Sequence, residues 1–213
     1  MSKYQKKKIN NKKTPVISTT VESSPHFGKY TIYFEKLEIG KTVKLIDKKS
    51  IKNTFVPIKS TKEDIYTTEP DGKIIPPIKG QKKCDFLIYA KNETQVCFLE
   101  LKGINISIDE DYNPYDQIIE TIKYFKNDLE LKNLVDNKIE KHAFIISPGR
   151  QKIPSGVDQK ERQLLKYLIQ ININKPSSIN ELIHYVKVTA KDRYSNCKGQ
   201  IICSSSDPIN IPF

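Results

Sequence analysis

Two apolar runs, Cys84–Ala90 and Gln95–Lys102, stand on either side of the polar tetrapeptide Lys91-Asn92-Glu93-Thr94. Short runs of β-branched, aromatic and aliphatic residues around a polar turn are the signature of a β-hairpin. Pairing the strands about the turn sets Ala90 opposite Gln95, so Leu87 faces Phe98, Phe86 faces Leu99 and Asp85 faces Glu100. Directly opposed side chains share a face of the sheet, with β-carbons roughly 5 Å apart. One face then carries Phe86, Ile88, Ala90, Cys97, Leu99 and Leu101, with no polar side chain. The other carries Leu87, Tyr89, Val96 and Phe98, until Asp85, Glu100 and Lys102 converge at its end. Strand periodicity of two puts Lys102 with Glu100. A hairpin of this pattern is buried on both faces.

The elements around it follow from period and punctuation. Tyr30, Ile32 and Phe34 alternate with Thr31, Tyr33 and Glu35, and Val43–Ile46 follows Gly40, which predicts an antiparallel strand pair. The stretch from Lys48 to Gly80, with Pro57, Pro70, Pro76 and Pro77, reads as a long irregular connection with short strands near Phe55–Ile58 and Ile74–Ile75. Asn113-Pro114 opens a helix, with Asn as N-cap and Pro in its first turn. Tyr115, Ile118, Ile119, Ile122, Phe125 and Leu129 form its inner stripe, and it is expected to run to about Leu134. His142–Ser147 is a short buried strand, a second helix spans Asp158–Ile171, and Leu182–Thr189 with Gln200–Ser204 form a closing strand pair, the first of them possible as a partial helix. This succession argues for one α/β layered domain over residues 16–213.

The chain has 213 residues and a net charge of +11. One ordinary domain of this size buries a core without disulfide staples. A basic balance favours a polyanionic partner, nucleic acid before a membrane surface. The charge is unevenly placed: Lys3, Lys6, Lys7, Lys8, Lys12 and Lys13 carry six positive charges with no acid among them, leaving +5 elsewhere. Residues 1–15 therefore read as a disordered basic arm, too poor in apolar side chains to offset ordering entropy. Only three basic residues are arginines, Arg150, Arg162 and Arg193, a bias that an AT-rich genome also produces. No run approaches the roughly 18 apolar residues of a membrane span. The N-terminus lacks a secretory apolar stretch, so a cytoplasmic location without membrane attachment is expected. The four cysteines form no C-x2-C pair and the three histidines are dispersed, which argues against a structural zinc site.

Two opposed carboxylates repel, and one is normally driven toward protonation. A divalent cation between Asp85 and Glu100 removes the conflict, and Lys102 completes the charge balance. Mg2+ suits such a site, since it is held by one or two carboxylates, waters and a substrate phosphate; Mn2+ is a plausible substitute. A metal there polarises a phosphoryl oxygen and makes water nucleophilic, while Lys102 orients that water or stabilises developing charge. A solvated ion-pair cluster at a hairpin end fits the same three residues without chemistry.

The arrangement resembles the PD-(D/E)xK nuclease superfamily of restriction-endonuclease-like proteins. The similarity runs through Lys82–Ile88, Cys97–Gly103, the helix from Pro114 and the strand from His142, covering roughly residues 70–170. It implies a mixed central sheet flanked by helices, Asp85 and Glu100 as metal ligands, the main-chain carbonyl of Leu101 as a further ligand and Lys102 as the catalytic lysine. Cys84 stands where the family has proline. The Pro70-Asp71 dipeptide has no further E-x-K at hairpin distance and reads as a turn.

Gln117, in the first turn of the helix after Glu100, either reaches the site, as glutamines on this helix do in branches of the family, or faces solvent. Glu22 is a loop or helix-start carboxylate before an additional site acid. Lys82 and Lys83 lead into the Asp85 strand, and Arg150 and Lys152 follow the next one; all four are candidate phosphate contacts. Tyr112 is a candidate for base stacking, whereas Tyr115 fits the helix core, and His142 and His184 read as structural. The expected function is a Mg2+-dependent nuclease acting on DNA, with restriction or phage defence as the context the resemblance implies. A non-catalytic nucleic-acid-binding module, a subunit of a larger assembly and a protein-interaction partner docking through the basic arm remain open, as does a homodimer.

Overall fold

The computed structural model describes residues 27–48, 54–92, 95–103, 113–136, 139–148, 158–172, 182–188, 200–204 and 207–211. Ten strands and two α-helices follow in chain order: β1 Glu35–Leu37, β2 Thr42–Ile46, β3 Phe55–Ser60, β4 Ile65–Thr68, β5 Phe86–Ala90, β6 Gln95–Leu101, α1 Pro114–Asn127, β7 Glu140–Pro148, α2 Asp158–Ile171, β8 Ile183–Val188, β9 Gln200–Cys203 and β10 Ile209–Ile211. Seven strands form one sheet in the order β1-β4-β5-β6-β7-β8-β9, and β10-β3-β2 form a second. In the large sheet each neighbouring pair along β1-β4-β5-β6 is antiparallel, and β6, β7, β8 and β9 run parallel. The protein is thus mixed α/β with a mixed central sheet. Among the described residues no helix is long and apolar enough to cross a membrane.

The hairpin sits at the centre of the sheet in the expected register, with Phe86 opposite Leu99, Leu87 opposite Phe98 and Tyr89 opposite Val96. Its two apolar faces go to two cores. Leu87, Tyr89, Val96 and Phe98 pack with Tyr115, Ile118, Ile122 and Phe125 of α1 and Leu164 and Leu168 of α2. Phe86, Ile88, Ala90, Cys97, Leu99 and Leu101 pack with Leu45, Val56, Ile58 and Ile209 of the small sheet. Among the described residues both α-helices therefore cover one face, and the three-stranded sheet covers the other.

Asn113 caps α1 by accepting hydrogen bonds from the amides of Tyr115 and Asp116, and Pro114 stands in the first turn, where its missing N–H costs nothing. α2 spans the residues that its periodicity predicts.

Several expectations are corrected. Gly28–Tyr33 is a 3-10 helix, not a strand, and its Ile32 is 81% exposed. β2 pairs with β3 and β1 with β4, so the predicted pairing between these two segments does not form. The strand expected near Phe55–Ile58 forms as β3 and extends to Ser60, and the same stretch also holds β4, which was not expected. No strand forms at Ile74–Ile75; Pro70–Ile74 is a wide helical turn around Gly72, whose φ of 99° suits glycine. α1 stops at Asn127, seven residues before the expected end, and Lys132–Val135 is a separate 3-10 turn. The stop has a local cause: the Asp128 carboxylate accepts from the amides of Glu130 and Leu131 and from the Tyr30 hydroxyl. Side-chain capture of nearby amides competes with helix continuation. The closing strands β8 and β9 form a parallel pair, with no helical part in β8. The basic arm, Glu22, Tyr112, Arg150 and Lys152 lie outside the described residues.

Candidate functional site

The charged end of the hairpin closes into one hydrogen-bonded network. Asp85 lies just before β5, and its amide donates to Glu100 Oε2 at 3.2 Å. The Asp85 carboxylate in turn accepts from the Leu101 amide at 2.7 Å. Each carboxylate is thus oriented by the backbone beside the other. Lys102 Nζ lies 2.6 Å from Glu100 Oε1, which fixes it on the same side of the sheet. The Lys102 amide donates to the Ile146 carbonyl of β7, so the lysine is anchored by its backbone as well.

Gln117 reaches this site. Its Oε1 accepts from Lys102 Nζ at 2.5 Å, and its Nε2 donates to the Lys83 carbonyl at 3.1 Å. One helical side chain therefore ties the lysine to the segment leading into Asp85. Thr121, one turn further along α1, accepts from the Cys84 amide at 2.8 Å and secures the same segment. The group of Leu101 in contact with Asp85 is its amide, and its side chain is buried against the small sheet.

Electrostatically the site holds more negative charge than it neutralises. Glu100 is 1% exposed, and burial followed by the nearby Asp85 carboxylate drives its carboxyl well above the usual range. Burial also pushes Asp85 up to about 7, with the Asp47 and Asp71 carboxylates adding to the effect, while the Leu101 amide and Lys102 oppose it. Two buried carboxylates share one close ammonium, which is the charge deficit that a bound cation would fill.

Asp71 is a site residue that sequence reasoning set aside. Pro70-Asp71 does form a turn, yet the carboxylate lies 3.4 Å from the buried Lys83 ammonium. An acidic hollow lined by Asp47, Glu69, Asp71 and Asp85 adjoins a groove lined by Lys82, Lys83 and Gln117, and Asp71 belongs to both. No signal near Asp71 in the chain announces this; the turn brings it in across the sheet. Lys82 pairs with Asp116 at 3.2 Å, and Lys160 joins the same carboxylate from α2. His142 and His184 pack with Phe144 on the small-sheet side, where His142 Nδ1 lies 3.1 Å from His184 Nε2, in keeping with a structural role.

Among the described residues no three His, Cys, Asp or Glu side chains converge as a ready-made metal cage. The donor set that is present, two carboxylates whose oxygens each retain a second lone pair, fits a hard ion that keeps several waters. It lacks the cysteine and histidine donors from which structural zinc sites are built. No family model, curated protein or solved structure matches the chain.

The raised carboxyls make a pH prediction with a definite sign. A carboxyl whose pKa is higher in the fold than in the unfolded chain binds more protons when folded, so stability falls as pH rises through that window. For Asp85 the window runs from its ordinary value of 3.8 to about 7. In EDTA, the melting temperature is expected to drop by on the order of 5–10 °C between pH 5 and pH 8. Asp85→Asn protein should show a much flatter profile. A wild-type melting temperature that stays level or climbs over this range contradicts the assignment.

Proposed function

We propose that this protein is a Mg2+-dependent nuclease of the restriction-endonuclease-like PD-(D/E)xK type, hydrolysing phosphodiester bonds in DNA. The observation that carries the reading is the network of Asp85, Glu100, Lys102 and Gln117 at the end of a doubly buried hairpin. Resting structural ion pairs normally balance their charge, whereas this pair of carboxylates is left in excess. The antiparallel-to-parallel sheet, with α1 crossing from β6 to β7, supports the same reading.

Asp85 and Glu100 would hold the cation, which when bound supplies polarisation of a phosphoryl oxygen and acidification of a water. The Leu101 and Asp85 amides each hold one of the two carboxylates in place. Lys102 supplies a positive charge beside the developing negative charge on phosphorus and orients the attacking water. Gln117 and Glu100 each take one proton of the Lys102 ammonium, which leaves it a third to donate. Lys82 and Lys83, in the adjoining groove, contact the phosphate backbone next to the scissile bond. Restriction or phage defence is the setting such a nuclease suits.

Purified protein is expected to degrade linear or circular DNA with Mg2+ or Mn2+ and to stop when EDTA is added. Salt-sensitive binding to DNA without cleavage in either metal would instead favour a binding module, whose affinity falls by about 0.9 log units per log unit of salt for each phosphate contact.

A further inference from the structure

The parallel half of the sheet places a second lysine in line with the first. Leu101 pairs with Ile146, and the Lys102 amide donates to the Ile146 carbonyl, which carries the register forward to Lys102 beside Ser147. Ser147 in turn pairs with Lys187 of β8. The faces agree. Val186 and Val188, on either side of Lys187, pack toward the small sheet, whereas Tyr185 packs into the helical core and meets the Tyr115 hydroxyl at 2.7 Å. Lys187 therefore stands on the face of Glu100 and Lys102, two strand spacings or roughly 10 Å from Lys102 along the sheet.

The position is enclosed to the same degree as the first lysine, Lys187 and Lys102 each being 9% exposed. Ser147 between them is 4% exposed. Lys102, Ser147 and Lys187 thus form a row of hydrogen-bond donors across the carboxyl ends of three adjacent parallel strands, the edge where open α/β sheets place their ligands. A strand of nucleic acid presents negative charges at regular intervals, and a row of spaced donors matches such a ligand better than it matches a single anion.

We propose that Lys187, with Ser147, forms a second phosphate subsite that holds a non-scissile phosphodiester of the strand being cut. The proposal rests on the nuclease reading for its placement beside the scissile bond, and it extends that reading to a residue outside the Asp85–Glu100–Lys102 triad. Lys187 here is a binding residue and touches none of the reacting atoms.

The test is binding of a fluorescent DNA duplex in EDTA across a salt series, with wild-type, Lys187→Met and Lys187→Arg protein. Lys187→Met is expected to weaken binding about tenfold, equally across DNA sequences. It should also lower the slope of log K against log salt by about 0.9, one phosphate contact. Lys187→Arg should restore both. A merely structural lysine would leave the slope unchanged, and an unchanged slope in folded Lys187→Met protein overturns the subsite. Should Lys187→Met fail to fold, duplexes with one neutral methylphosphonate linkage, scanned past the wild-type protein, give the answer without mutation. A sensitive position other than the scissile one supports the subsite, and the absence of one overturns it. A slope change in Lys187→Met protein together with no cleavage by wild-type protein in Mg2+ or Mn2+ retains the subsite and overturns the nuclease reading; wild-type cleavage without the slope change does the reverse.

Discussion

Asp85→Asn and Lys102→Met proteins are each expected to lose DNA cleavage by at least about 10²–10³-fold, the scale of removing one preorganised electrostatic group from a reaction site. Their stabilities should move in opposite directions. Asp85→Asn keeps the carbonyl that accepts from the Leu101 amide and removes a buried charge whose pKa is already pushed to about 7. In EDTA at pH 8 this variant should melt at or above the wild-type temperature. Lys102→Met removes the ammonium 2.6 Å from Glu100 and leaves a carboxylate that is 1% exposed beside a second one. Loss of one partner from a buried pair costs on the order of 3–5 kcal/mol, lessened here where Glu100 takes up a proton. That cost should shrink as pH falls from 8 to 5. Thermal melts in EDTA and a gel-based cleavage assay in Mg2+ read both quantities. Should both variants cleave at wild-type rates, the active-site assignment is wrong. A structural ion-pair cluster, by contrast, would make both substitutions destabilising.

Why such opposed effects could be foreseen at all comes down to the hairpin. Its register was legible because the polar turn at Lys91–Thr94 fixes the count, and a slip of one residue would put Asp85 and Glu100 on opposite faces of the sheet. Asp85, Glu100 and Lys102 are local to that count, so sequence alone brought them together. Gln117 was legible only as a position on a helix face; which way that face points depends on how α1 packs over Leu87 and Phe98. Asp71 and Lys187 were not legible. Asp71 enters by a turn whose partners, Lys83 and Asp85, come later in the chain and from another strand. Lys187 lines up with Lys102 through two parallel pairings, and the register of parallel strands is set by helical crossovers with no turn to count from.

The same distinction explains the errors in the fold. Tyr30–Glu35 alternates like a strand, yet Tyr30 packs into the helical core and its hydroxyl donates to Asp128, 98 residues away, contacts that no local alternation announces. β3 was expected as a short strand near Phe55–Ile58 despite Pro57, a residue that argues against an interior strand. In the sheet Pro57 pairs with Lys44 of β2, and the β10 pairing begins only at Ile58, so the proline sits where one flank of β3 is still open. Leu129 fits the helical stripe of α1 but is 81% exposed, since Asp128 has already ended the helix.

The largest expected loss of stability lies far from the site, at Lys141. This side chain is fully buried at the start of β7, and its ammonium donates to three main-chain carbonyls, those of Asp136, Ile139 and Ile171. Ile171 is the last residue of α2, whose final carbonyls have no partner within the helix and carry the negative end of its dipole. The backbone is clamped as well: the Lys141 amide donates to Asn172 Oδ1, and Asn172 Nδ2 donates back to the Lys141 carbonyl. Burial pulls the ammonium down to about 8, with the Asp136 carboxylate opposing the shift, so it remains charged at neutral pH. Methionine fills much of the same volume but donates nothing. Lys141→Met would strand three buried carbonyls, each costing about 1–3 kcal/mol, for a loss of about 4 kcal/mol in urea denaturation at pH 7. The melting temperature should fall by roughly 10 °C. The exposed Lys132 serves as control, and its Met variant should stay within about 0.5 kcal/mol of wild type. Below its melting temperature Lys141→Met protein should retain the wild-type cleavage rate, because β7 still presents Ile146 to the Lys102 amide. A loss under 1 kcal/mol would mean that water or a relaxed helix end satisfies those carbonyls as well as the lysine does.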